Sequence, residues 1–154
     1  MPTLDQERAR FAWQRTENVT ADFKNLVSGA PSLIMTNGLM QALAYYKEKG
    51  HGRDNDRDRT RARRAVDRAP ERSEDNDNDH DKLRKALVDW LCDRLAPDER
   101  NLSNGDEKFA LLMRRLHESD ADTYFRATEE ALAILRWIRQ YAKARAAMRA
   151  AREK

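Results

Sequence analysis

Residues 121–150, ADTYFRATEEALAILRWIRQYAKARAAMRA, decide the fold. The stretch holds neither Gly nor Pro and is built from Ala, Leu, Arg and Glu, which are good helix formers. Ser119-Asp120 stands just ahead of it as a cap. The run therefore predicts one helix, about 45 Å long at ~1.5 Å per residue. Tyr124, Ala131, Leu132, Leu135, Ile138 and Ala142 line its core face. Ile134, Trp137 and Tyr141 widen that face beyond an ordinary amphipathic stripe. Such a helix is either central to a bundle or covered by a second chain.

Working towards the N-terminus, the same period recurs in shorter pieces. A helix over Asp106–Glu118 turns Phe109, Leu112, Met113 and Leu116 inward, after a turn at Asn101–Gly105. Another, over Asp81–Leu95, carries Leu83, Leu87, Trp90, Leu91 and Leu95, and Pro97 stops it. At the start of the chain, Thr3 and Gln6 have capping-box spacing. Ala12, Val19, Phe23 and Leu26, with Phe11 and Trp13 beside them, then predict one helix running to Ser28-Gly29-Ala30-Pro31. Pro31 suits the first turn of a new helix, with Ser32–Met35 as a short piece. Thr36-Asn37-Gly38 marks a kink or a fresh cap. Leu39–Lys49 is helical again, with Leu39, Leu43 and Tyr46 on one side, and Gly50 closes it.

Residues 51–81 differ in kind. They hold eighteen charges and only Ala62, Ala65, Val66 and Ala69 as apolar side chains, too few to offset the entropy of ordering. They read as a solvated loop with a transient helical turn at Thr60–Arg68. Because neither flank could form a core alone, the loop is an insertion and not a domain boundary. Alternating Val/Ile/Thr runs are absent, so no sheet is expected. The fold class is all-α: a single compact bundle of about five to six helices over 1–154, with 144–154 as a basic Ala/Arg-rich tail.

The formal charge of +3 is concentrated at the C-terminal end, where seven basic residues follow Leu132 against the single Glu153. Cys92 is the only cysteine, which excludes an intrachain disulfide and fits a reducing cytoplasm. No apolar run approaches the ~18–20 residues needed to span a bilayer, and Met1-Pro2-Thr3-Leu4 does not open a signal peptide.

Reactive groups are sparse. Asp75, Asp77 and Asp79 have calcium-loop spacing, but His80 stands where Gly is needed and Ala86 where Glu should be, so a solvated acidic run is the reading. His51, His80 and His117 lack zinc-ligand spacing and read as lone surface histidines. None has the upstream Arg, four to six residues away on one helix, used by small helical ribonucleases. Cys92 has no nearby His and reads as a small buried or half-exposed thiol. Glu129-Glu130 compensates a helix dipole. No catalytic group, metal or cofactor is expected.

Two stretches go beyond helical grammar: PSLIMTNGLMQALAYY (31–46) and YFRATEEALAILRW (124–137). Both resemble the small α-helical subunit, usually called the fifth, of the Cmr complex, the type III-B CRISPR RNA-targeting effector. LDQERARFA (4–12) is similar to that family's first helix, and the resemblance covers about residues 3–50 and 106–145. Met40 stands where the family pattern has a second glycine, and its bulk is expected to push neighbouring helices apart. The resemblance implies a helical bundle without an active site. Several copies stack head to tail as the minor filament, beside backbone subunits that hold guide RNA, and help form the target-RNA channel. The implied partners are other Cmr subunits, copies of the chain itself, and guide or target RNA, with no membrane.

On a wheel centred on Leu135, Arg136, Arg139 and Lys143 fall within about 60° of one another, and Phe125 and Leu132 share that flank. These cations read either as a solvated face suiting the helix C-terminal dipole or as a phosphate track, with Lys47 and Lys49 as further RNA-contact candidates. No aromatic stacking platform is evident. Thr36, Asn37, Gly38, Trp137 and Tyr141 are the candidate subunit-interface residues. The competing class is a free-standing helical nucleic-acid binder, either a regulator or a ribonuclease. A regulator would want a basic recognition helix, and Leu39–Tyr46 contains no basic residue.

Overall fold

The computed structural model describes residues 1–50, 78–99 and 104–153. Among them are six α-helices and no strand. These are α1 (Leu4–Arg15), α2 (Ala21–Asn37), α3 (39–50), α4 (Asp79–Leu95), α5 (Gly105–Glu118) and α6 (Ala121–Arg152), with a 3-10 turn at Pro97–Glu99. The expected loop at 51–81 and the turn at Asn101–Gly105 lie largely outside the described residues. Of those spans, Asp79–Asp81 open α4 and Gly105 opens α5.

Each start is set by a side chain that takes an orphan amide. The Thr3–Gln6 capping box forms in both directions. Thr20 accepts from Phe23 N, Asn78 from His80 N, Asn104 from Asp106 N and Asp120 from Thr123 N. The bond from Thr123 holds the Asp120 carboxyl below the usual carboxylate range.

α6 is central, packed on α1, α2 and α4. α1 runs parallel to it: Arg8 meets Glu130, and the Trp13 carbonyl meets Arg145. α2 runs antiparallel, with Val19 beside Arg149 and the Gly38–Met40 turn beside Tyr124. α4 is antiparallel to α1 through Arg15–Asp89 at 2.5 Å and Arg94–Glu7 at 2.7 Å. α5 lies on α4, where Lys108 reaches Asp89 at 3.2 Å and the Cys92 thiol meets the Lys108 carbonyl at 3.5 Å. Ile134, Leu135, Ile138 and Ala142 are fully buried in one core with Phe23, Ile34, Leu43, Tyr46, Leu87 and Leu91.

The first helix is not continuous to Pro31. It stops at Arg15, and a new one starts at Ala21. Buried Thr16 turns its hydroxyl onto the Ala12 carbonyl at 2.9 Å. Arg145 donates to Thr16 Oγ1 at 3.1 Å and to the Trp13 carbonyl at 2.9 Å. Arg149 donates to the Val19 and Glu17 carbonyls. Two arginines of α6 thus satisfy the carbonyls that the break leaves open. Pro31, in turn, starts nothing and sits inside α2. Burial of Phe23, Val27, Ala30 and Ile34 on both sides of it outweighs the amide it removes.

Gly38 caps α2 at φ 89°, ψ 158°, a conformation essentially reserved for glycine. Its amide donates to the Ile34 carbonyl at 2.8 Å. Met40 is half-buried against the core, and its amide donates to Tyr124 Oη at 3.3 Å. Gly50 is buried at the end of α3, where a Cβ would lie 2.1 Å from Asp81 Oδ1, so a larger residue there would have to displace the Asp81 carboxylate. A Gly38→Ala substitution is expected to cost about 1–3 kcal/mol, read as a lowered midpoint in urea unfolding with an unchanged slope.

Candidate nucleic-acid and subunit interface

The cations that follow Leu132 split into two sets. Arg145 and Arg149 bond the α1–α2 junction, and the Arg145 guanidinium also lies 3.6 Å from the centroid of Trp13. Arg136, Arg139 and Lys143 are exposed, with no ion-pair or hydrogen-bond partner among the described residues. α6 reaches Arg152, so residues 144–152 continue the helix. The predicted track is therefore a strip on α6 left open by the helices packed against it. Phe125, at the N-terminal end of that strip, is 61% exposed. The flank shared by Phe125 and the cations in the sequence pattern is thus an exposed one at both Phe125 and Arg136.

The other candidates divide in the same way. Lys47 is engaged with Asp106. Lys49 lies 5.6 Å from the Tyr45 ring centroid and lends its carbonyl to Asn78 Nδ2 at 3.1 Å. Neither adjoins the α6 strip in any described contact. Thr36 and Asn37 are exposed beside Met35, which is 71% exposed, and Gly38 is half-buried. Trp137 and Tyr141 are half-buried with ring centroids 5.6 Å apart, and Tyr141 meets Trp13 edge-on at 5.3 Å. That cluster packs α1 against α6, with Trp13 41% exposed at its edge.

Two residues read as bland surface have tertiary roles. Glu130 accepts from Arg8 Nε at 2.9 Å, Arg8 Nη2 at 2.7 Å and Trp90 Nε1 at 2.8 Å. It joins α1, α4 and α6 and is not a dipole partner of its own helix. Burial pushes its carboxyl up, but the bonds from Arg8 and Trp90 and the charges of Arg8 and Arg94 outweigh that and hold it below the usual range. Arg8 is held above its ordinary value, first by Glu130. His80 is no lone surface histidine. It is half-buried, bonds Asn78 Oδ1 at 3.0 Å and lies 6.1 Å from Tyr46 and 6.4 Å from Tyr45.

A cleft of about 300 Å³ is lined by Asp22, Leu26, Asp79 and His80, and a second of about 270 Å³ by Leu95, Arg115, Leu116, Glu118, Ser119 and Thr123. In the first, Asp79 already accepts from Thr20 at 3.2 Å. Among the described residues, no three His, Cys, Asp or Glu side chains are placed to share a cation, and no helix is long and apolar enough to cross a membrane. Cys92 is buried in the core, and burial pushes its thiol up to about 11, far from a thiolate nucleophile.

Residues 4–145 match the family described as CRISPR-associated protein (Cas_Cmr5). The chain belongs to the Cmr5 family. It is therefore the small subunit of the type III-B Cmr effector complex in CRISPR defence, and it associates with that complex. The match runs from the first residue of α1 to Arg145, which binds the α1–α2 junction.

In this Cmr5 chain, Glu130→Gln is expected to cost about 2 kcal/mol, because Arg8 and Trp90 lose a shared anion. The sign with pH follows from the lowered carboxyl. Its contribution is present above the unfolded value, near ~4.3, and is lost as pH falls through the folded value. Urea midpoints measured from pH 7 down to 3 are expected to fall less steeply in Glu130→Gln than in the parent chain.

Proposed function

We propose that this chain is a non-catalytic subunit that stacks in several copies beside the backbone subunits as the minor filament in the cytoplasm. Its exposed α6 strip contacts the phosphates of the target strand. The observation that carries the RNA contact is the separation of the α6 cations into two that bind the fold and three, Arg136, Arg139 and Lys143, that bind nothing in it. Three cations hold a strand weakly, but a filament repeats them, and linked weak sites act at high effective concentration. The rigid end of α2, with Met35, Thr36 and Asn37 exposed on a glycine-capped turn, is the element proposed to dock on neighbouring subunits. Trp137 and Tyr141, half-buried beside Trp13, are the further candidates for a subunit contact. The high thiol value of Cys92 and the engagement of Glu130 in the core support a scaffold role over a ribonuclease.

The test is an Arg136/Arg139/Lys143 triple Ala variant assembled into the whole complex. Each neutralised phosphate of a single strand contributes about −0.7 to the salt slope of log K, so the slope is expected to flatten by about 2. Unchanged target capture across a salt series, with assembly intact, would remove these residues from the RNA path.

A further inference from the structure

The exposed strip of α6 carries an order of signs that the phosphate track leaves unexplained. Asp122, Glu129, Arg136 and Lys143 stand seven residues apart, reading acid, acid, base, base. All four are exposed, and none has an ion-pair or hydrogen-bond partner among the described residues. A seven-residue spacing drifts by only about 20° per step around a helix, so the four form one line along about 32 Å of α6. Beside them runs a second line at the same spacing: Phe125, 61% exposed, half-buried Leu132, and exposed Arg139. This is the layout of a helix seam, with a partly apolar row flanked by charges.

The signs choose the partner. A two-fold axis crossing α6 between Leu132 and Ala133 sets Asp122 opposite Lys143, and Glu129 opposite Arg136, of a second copy. By symmetry it also forms the two reciprocal pairs. The axis brings two Leu132 side chains together and sets each Phe125 level with Gln140, next to Arg139 of the other copy, where the ring face suits a guanidinium. A parallel, in-register pairing would instead place like charges side by side. A strand of RNA matches the basic half but meets Asp122 and Glu129 at the other, so the line as a whole fits another α6 better than a polyanion.

We propose that the free subunit pairs with a second copy through antiparallel α6 strips, and that this pairing occupies Arg136 and Lys143 until the chain enters the complex. The inference adds a regulation of the cations named under the proposed function and rests on that reading only for its consequence, the exclusion of RNA. The pairing itself stands on the sign order. Exposed pairs are screened by salt, so the dimer is expected in low-salt buffer and lost towards 1 M salt.

The experiment is sedimentation equilibrium of the full chain and two variants. Asp122→Lys/Glu129→Lys makes the line all basic, and Arg136→Glu/Lys143→Glu makes it all acidic. All four positions are exposed, and circular dichroism melting checks that the variants fold. Each variant alone is expected to dimerise about tenfold or more weakly than the parent chain, and mixing the two is expected to restore dimers. A parent chain that stays monomeric at low salt, or variants that dimerise like the parent, overturns the proposal. Target-RNA capture by complexes carrying Arg136→Glu/Lys143→Glu separates the two readings. If capture falls while the free chain still dimerises, the RNA reading stands and the pairing is wrong. If dimers are lost while capture is unchanged, the reverse holds.

Discussion

The carboxylate of Glu130 fixes the level at which three helices meet. Arg8 of α1 closes on it with two nitrogens, and Trp90 of α4 donates from the other side. The indole is in turn packed by Phe11, with centroids 5.1 Å apart, and covered by the Arg94 guanidinium at 4.6 Å. Apolar stripes alone would let such rods slide past one another by a turn at small cost. A half-buried charge with directed donors would not, since each displaced bond leaves a polar group without water. With α1 and α4 fixed against α6 in this way, the Arg145 and Arg149 contacts to the α1–α2 junction fall in place one helix length further on. The register of α2 against α6 follows from that junction, down to Gly38 beside Tyr124.

Much of this was legible along the chain. α4, α5 and α6 follow a 3.6-residue period bounded by Asn, Asp and Pro, and their observed limits lie within two residues of the expected ones. What the sequence hid has one physical origin: interactions between distant residues. The break after Arg15 has no local Gly or Pro to announce it. It is satisfied by arginines about 130 positions away, so a pattern reading runs straight through it. Pro31 looks like a boundary because its cost is local, while the burial that outweighs that cost is tertiary. Glu130 looks like a surface acid for the same reason.

The candidate site was legible in part. Helical spacing placed Arg136, Arg139 and Lys143 on one flank, and they are exposed together. Spacing could not tell them from Arg145 and Arg149, which belong to the same basic run but serve the fold. Nor could it show that Lys47 is engaged with Asp106, or that Trp137 and Tyr141 face each other and Trp13.

The exposed strip of α6 exists because its neighbours do not surround the helix completely. α1, α2 and α4 cover the line of Ala127, Ala131, Ile134, Leu135, Ile138 and Ala142, and the opposite line faces solvent along the whole rod. Residues on that line are free of the packing constraint, so nothing in the fold requires Phe125 to be aromatic or the charges to be sorted by sign. A strip selected only for hydration would tolerate any order of charges. The order acid, acid, base, base beside Phe125 and Leu132 is therefore a property of the surface, and it answers to what the surface meets. A repeating polyanion would favour cations along the whole line, whereas an antiparallel copy favours a change of sign at its middle. The change of sign between Glu129 and Arg136 is what the sequence contains.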